Sequence, residues 1–69
     1  MGLSSNELLD VLIDYMNAEI ADYLLNGMSQ EYLKGEIDGI LATLEVCNLS
    51  HIAKRLQKYI NSKIDYEEW

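Results

Sequence analysis

The residues best suited to catalysis or metal binding are His51, the only histidine of the 69-residue chain, and Cys47, its only cysteine. They stand four positions apart, a spacing that places two side chains on one face of a helix. A zinc site needs three or four protein ligands, and this pair supplies only two. Nothing near His51 in the sequence supplies a nucleophile or a further ligand. We therefore predict a protein that is not an enzyme, with no catalytic residue, metal or cofactor, and interpret Cys47 as a small core residue.

The acidic residues are the most abundant charged groups, and they give the chain a net charge of −7. Nine of them lie in residues 1–46, where Lys34 is the only basic residue. This charge disfavours binding to nucleic acid and favours a protein partner with a basic surface. The surface either imitates nucleic-acid phosphates, as small acidic inhibitors encoded by phages and mobile elements often do, or only keeps the protein soluble. The acids that we select as candidate protein-binding residues are Asp10, Asp14, Glu36 and Asp38.

Two further acids, Glu19 and Asp22, border the apolar arc of the first predicted helix. There they either pair with arginines of a partner, pair with Lys63 of the same chain, or lie at the edge of the buried face.

The basic residues cluster on one face of the third predicted helix: His51, Lys54, Arg55 and Lys58. Residues 49–56, Leu-Ser-His-Ile-Ala-Lys-Arg-Leu, resemble the first helix of a helix-turn-helix unit, with a small residue after the isoleucine. This resemblance implies a DNA-binding transcriptional regulator. A recognition helix should then follow, whereas the sequence continues into the acidic segment 65–69. The alternative is a solvated face that partly balances Asp10 and Asp14.

Small residues form a second stripe on the middle helix, nearly opposite its stripe of large apolar residues. The large stripe is Leu33, Ile37, Ile40, Leu44 and Cys47, and the small one is Gly35, Gly39, Ala42 and Val46. Each glycine costs about 0.5–1 kcal/mol of helix stability relative to alanine. We predict that a helix from outside the bundle packs here, from a second copy or from a target protein. The alternatives are that the small residues face solvent or permit a close crossing within the chain.

Tyrosines flank the main apolar stripes of the first two helices. Aromatic side chains are enriched among the residues that dominate binding energy at protein interfaces. We therefore predict that Tyr15 and Tyr32 contact the partner.

Helical periodicity and capping signals predict helices over residues 5–26, 30–47 and 50–64. Ser4 and Glu7 form a capping-box pattern, Leu3 and Leu8 a hydrophobic staple, and Gly27 a left-handed end to the first helix. Ser29 caps the second helix. A bent continuous helix is the alternative to a break after Cys47. The aromatic tail over residues 65–69 either frays or docks.

These elements predict a single all-α domain over residues 1–69, a small three-helix bundle with short loops. The first helix carries apolar residues over an arc wider than usual, which predicts burial on more than one side. Dimerisation is one way to complete such a bundle.

The function that composition favours is binding rather than chemistry. No apolar run approaches the roughly 20 residues of a membrane span, and a lone cysteine fits a reducing compartment, so we predict a cytoplasmic protein without membrane contact. We predict a small acidic regulator or inhibitor, phage-borne or carried by a mobile element, that binds another protein and forms homo-oligomers. The alternative is the DNA-binding regulator described above.

Overall fold

Three helices pack against one another in the computed structural model, which describes Gly2 and residues 4–69. No strand occurs in that part of the chain, and the predicted all-α three-helix bundle is confirmed. The bundle measures 37 Å by 19 Å by 18 Å. Its elements are α1 (Ser5–Leu25), α2 (Gln30–Val46), α3 (Ser50–Asn61) and a short 3₁₀ helix, η1 (Tyr66–Glu68).

Both ends of α1 follow the local signals in the sequence. The Glu7 amide donates to Ser4 Oγ (3.2 Å) and the Ser4 amide donates to the Glu7 carboxylate (3.3 Å), so the predicted capping box is present. The predicted staple involves Leu3, which lies outside the described residues. After α1, Gly27 adopts a left-handed φ of 82°, which glycine tolerates because it has no Cβ.

The chain breaks between α2 and α3, so the alternative of a bent continuous helix is wrong. Asn48 has a φ of 61°, a left-handed conformation in which asparagine is enriched. The Leu49 amide then donates to the Leu44 carbonyl (2.8 Å) and the Asn48 amide to the Glu45 carbonyl (3.1 Å). These two bonds satisfy carbonyl groups that a helix end would otherwise leave without donors.

The core is organised around α3, the shortest of the three α-helices. Four of its 12 residues are buried, against three of 21 in α1 and three of 17 in α2. Both α1 and α2 contact α3 more extensively than they contact each other. The buried residues are Leu9, Met16, Ile20, Leu33, Ile37, Leu44, Ile52, Ala53, Leu56, Ile60 and Ile64.

Two predictions about burial are wrong. Cys47 is exposed rather than in the core, because α2 ends at Val46 and the chain turns away there. Within the single chain α1 is buried on one side only: Leu24 is 60% exposed and Leu25 81% exposed. Leu24 lines a small surface pocket with Lys63 and Trp69, which leave most of its side chain uncovered.

The C-terminal tail docks on the bundle. The Trp69 ring packs against Tyr23 of α1, with ring centroids 5.2 Å apart, and against Tyr66 at 6.2 Å. The Tyr66 hydroxyl donates to the Asp38 carboxylate of α2. The tail therefore connects α1 and α2 at one end of the bundle.

Candidate protein-binding site

An open, mostly apolar groove of about 550 Å³ runs between α1 and α2. It exists because these two helices contact α3 more closely than each other. Along α2 it extends from Gly35 to Leu44, about 14 Å at roughly 1.5 Å per residue, or about two and a half helical turns. Its lining residues are Leu8, Leu12, Tyr15, Gly35, Glu36, Gly39, Ile40, Thr43 and Leu44.

The predicted stripe of small residues is exposed along its whole length. A Cβ atom added at Gly35 or Gly39 would meet no described atom within 4 Å, apart from the backbone of α2 itself and adjacent residues. The alternative of a close crossing within the chain is therefore wrong. Both glycines line the groove, whereas Ala42 and Val46 lie outside it on the exposed surface of α2, with Val46 83% exposed.

Two tyrosines and two glutamates form a cluster at one end of the groove. The Tyr15 hydroxyl donates to Glu36 Oε2 (3.1 Å) across the two helices. The nearby carboxylates of Glu19 and Glu36 raise the pKa of Tyr15 to about 12. The Glu36 carboxylate also raises the pKa of Tyr32. We call Tyr15, Glu19, Tyr32 and Glu36 the tyrosine–glutamate cluster.

The two carboxylates of this cluster have no cationic partner among the described residues. The ion pair within 4.0 Å in that part of the chain joins Lys34 to Asp38 (2.9 Å). Glu19 and Glu36 are nevertheless half-buried. Glu36 therefore lines one end of the groove and Glu19 lies one helical turn beyond Tyr15, and neither carboxylate is balanced by a cation within 4.0 Å among the described residues.

Of the four acids selected from the sequence, only Glu36 lines the groove. Asp10 and Asp14 are exposed elsewhere on α1. The carboxylate of Asp38 accepts hydrogen bonds from Tyr66 and Lys34, which hold its pKa below the usual range. Asp38 is therefore already engaged within the chain.

Glu19 is the site residue whose partner the sequence reasoning missed. The predicted pairing of Glu19 or Asp22 with Lys63 is wrong, since Asp22 accepts instead from the Asn26 amide nitrogen (2.9 Å). The Lys63 ammonium lies 5.6 Å from the centroid of the Tyr59 ring. A signal was present in the sequence, because a tyrosine precedes a glutamate by four residues in both helices, Tyr15–Glu19 and Tyr32–Glu36.

The basic residues of α3 form a separate, fully polar surface. His51, Lys54, Arg55 and Lys58 are all exposed, and they make no ion pair with Asp10 or Asp14. The His51 Nε2 atom lies 3.5 Å from Ser5 Oγ. No α-helix follows α3 among the described residues; only the three-residue η1 does.

Two further findings concern the described part of the chain as a whole. It contains no group of three or more His, Cys, Asp or Glu side chains arranged to hold a metal ion. None of its helices combines the length and the apolar composition that crossing a membrane requires.

The chain was compared with protein-family models, with curated proteins and with solved structures, and none of the three comparisons gives a match.

Proposed function

We propose that this chain is a small acidic protein without enzymatic activity that binds another protein through the exposed side of α1 and α2. The binding regulates or inhibits the partner by covering a basic site on it. The observation that carries this proposal is the open apolar groove in which Gly35 and Gly39 present bare backbone.

The isolated chain gains no stability from having glycine at positions 35 and 39. Two glycines inside α2 together cost roughly 1–2 kcal/mol relative to alanine, and no close contact within the chain offsets that cost. Exposed apolar residues of the same two helices, such as Val11 and Tyr32, likewise add little to the core. Packing of a partner against this surface would bury the apolar groups and use the space that the glycines leave open.

The biological setting that fits this proposal is a phage or mobile-element regulator acting in the cytoplasm. An exposed lone thiol, Cys47, suits a reducing compartment. Self-association is part of the proposal, with the exposed Ala42 and Val46 of α2, which lie outside the groove, as its contacts. Light scattering tests it directly, since a homo-oligomer has a mass that is a multiple of 7.9 kDa.

Affinity capture with matched bait variants tests the proposed function. The baits are the tagged wild-type chain, Gly39→Leu, which fills the groove, and Gln57→Leu, which adds the same side chain to the polar face of α3. We expect specific proteins from a lysate of the source organism to be retained by the wild type and by Gln57→Leu, and lost with Gly39→Leu. Retention of the same proteins by all three baits would contradict the proposal.

DNA binding by α3 is the second candidate, favoured by its four exposed basic side chains. The net charge of −7 opposes it, because phosphate neutralisation supplies most DNA affinity. A duplex mobility shift at low salt that disappears in Lys54→Glu/Lys58→Glu, but persists in Lys34→Glu, would establish it. The absence of any shift at low salt would remove this candidate.

A further inference from the structure

We propose that the groove between α1 and α2 receives one amphipathic helix from a different protein, with its apolar side chains in the groove and an arginine or lysine at Glu19 and Glu36. This inference rests on the proposed function and specifies its partner. Three observations lead to it: the dimensions of the groove, the charge at its end, and the mismatch between this surface and the rest of the chain.

The dimensions suit a helix rather than a loop or a flat surface. A length of about 14 Å matches roughly nine residues of α-helix, which present three side chains to the groove at i, i+3 or i+4, and i+7. Leu8, Leu12 and Ile40 supply the apolar walls. Because Gly35 and Gly39 have no side chains, the incoming helix can lie at the short end of the usual range of interaxial distances, near 8 Å.

The charge at the end of the groove selects a basic residue on that helix. Glu19 and Glu36 are half-buried and have no cation within 4.0 Å among the described residues. Tyr15 donates a hydrogen bond across the two helices to Glu36, and Glu19 follows Tyr15 by one turn of α1. An arginine offers five N–H donors in a planar arrangement, enough to serve both carboxylates at once.

A second copy of this chain fits the groove poorly in either orientation. Two α1–α2 surfaces facing each other offer Glu19 and Glu36 only one basic residue, Lys34, which already pairs with Asp38. The exposed face of α3 carries the opposite charge, yet it consists of polar and charged residues and offers no apolar side chain for the groove. A helix of another protein that is both apolar and basic meets both requirements.

Fluorescence anisotropy with designed peptides tests the inference on the full chain. The probe is a labelled peptide of about 16 residues, long enough to hold a helix, with leucines on one face and arginines beside them. One matched peptide replaces the arginines with glutamates, and another keeps the composition but scrambles the order so that no apolar face forms. We expect the basic amphipathic peptide to bind about tenfold more tightly than either matched peptide, with an affinity that falls as salt is raised.

Variants of the protein locate the peptide on the groove. Glu19→Gln/Glu36→Gln should weaken binding by about tenfold and Gly39→Leu by at least as much. Glu45→Gln is the control, since it removes one negative charge from α2, the helix of Glu36, at a position that does not line the groove. It should change the affinity by less than about twofold. Equal binding of the scrambled peptide, no detectable binding of the basic peptide, or unchanged binding by the double glutamine variant would overturn the inference.

The outcome separates this inference from the proposed function. If affinity capture yields a partner that depends on Gly39 and the basic peptide does not bind, the chain is a binding protein with a different kind of ligand. If the peptide binds as expected and capture yields no partner dependent on Gly39, the groove has the stated preference and the proposed function fails.

Discussion

The exposed face of α3 and the exposed surface of α1 and α2 are built from different kinds of residue. The exposed residues of α3 are all polar or charged, and every large apolar residue of that helix is at least partly buried. In α1 and α2, large apolar residues remain on the outside. These are Val11, Tyr15, Leu24, Leu25, Tyr32 and Val46.

The apolar residues of α3 are covered by the other helices, whereas many apolar residues of α1 and α2 remain exposed. The face of α3 that lies between its two neighbours is fully covered, so α3 has the division into one apolar and one polar face that a surface helix normally shows. The other two helices carry more apolar surface than α3 can cover. Surplus apolar surface beside a groove is typical of a binding site on a small protein.

The largest expected effect concerns a buried residue of α3 compared with an exposed one of α1. Leu56 is fully buried, and Leu56→Ala should lower the free energy of unfolding by about 3 kcal/mol through lost transfer energy and a new cavity. Leu25→Ala should change it by less than about 0.5 kcal/mol. Urea denaturation followed by circular dichroism measures both, and similar losses for the two variants would contradict the assignment of Leu25 to the outside.

Replacing the groove glycines should stabilise the free chain. Gly35→Ala/Gly39→Ala should raise the free energy of unfolding by roughly 1–2 kcal/mol, because alanine favours the helix and its methyl group meets open space. Gly27→Ala is the opposite control, since Gly27 has a left-handed φ of 82° and alanine is strained there. A destabilised double variant would show that the glycines serve a contact within the chain.

The docked tail, unlike the open groove, contributes a hydrogen bond to the stability of the free chain. Tyr66→Phe removes the hydrogen bond to Asp38 and should cost about 1 kcal/mol near neutral pH. Burial, and then the Asp38 carboxylate, raise the pKa of Tyr66 from 10.0 to about 12. The folded state therefore favours the neutral hydroxyl, and its contribution is complete below pH 10 and is lost as the pH rises toward about 12.

Asp38 contributes to stability with the opposite pH dependence, because its contribution is lost at low pH rather than at high pH. The Tyr66 hydroxyl and Lys34 lower the pKa of Asp38 from 3.8, so its contribution is present above that pH and is lost as the pH falls below it. Tyr66→Phe should therefore flatten the stability profile at both extremes. Thermal denaturation from about pH 2 to about pH 12 measures this, and parallel profiles for wild type and variant would refute it.

The smallest expected effect is on the basic face of α3. Lys54→Glu/Lys58→Glu should change the free energy of unfolding by less than about 0.5 kcal/mol, because neither lysine makes an ion pair in the described residues. Thermal denaturation of this double variant beside the wild type is the measurement. A loss of about 1 kcal/mol or more would mean that these lysines balance Asp10 and Asp14, as the alternative interpretation of the sequence holds.

The helix ends are the part of the fold that the sequence predicted most accurately. Predicted and observed boundaries of α1 and α2 differ by one residue at most, because the caps at Ser4 and Ser29 and the left-handed Gly27 are local features. The end of α3 was placed three residues too late. Ile64 continues the apolar period of that helix and is buried, but it reaches the core from a turn rather than from the helix.

The site was predicted only in part, since its components come from two helices. Tyr15, Glu36 and the two glycines were selected from the sequence and line the groove. Asp38 is instead engaged by the tail, and the Tyr15 hydroxyl donates to Glu36 one helical turn before Glu19. The repeated Tyr–Glu spacing shows that each half of the cluster is encoded within one helical turn. Only the packing of α1 beside α2 brings the halves together.

By itself, the sequence determined both ends of α1 and α2, the start of α3 and which face of α3 is apolar, because these properties depend on residues within about four positions of each other. The tertiary structure alone decided which apolar residues of α1 and α2 are covered. Apolar periodicity indicates which face of a helix is apolar, but it does not indicate how many other helices pack against that face. In this chain α3 covers one side of each helix, and the groove between α1 and α2 stays open.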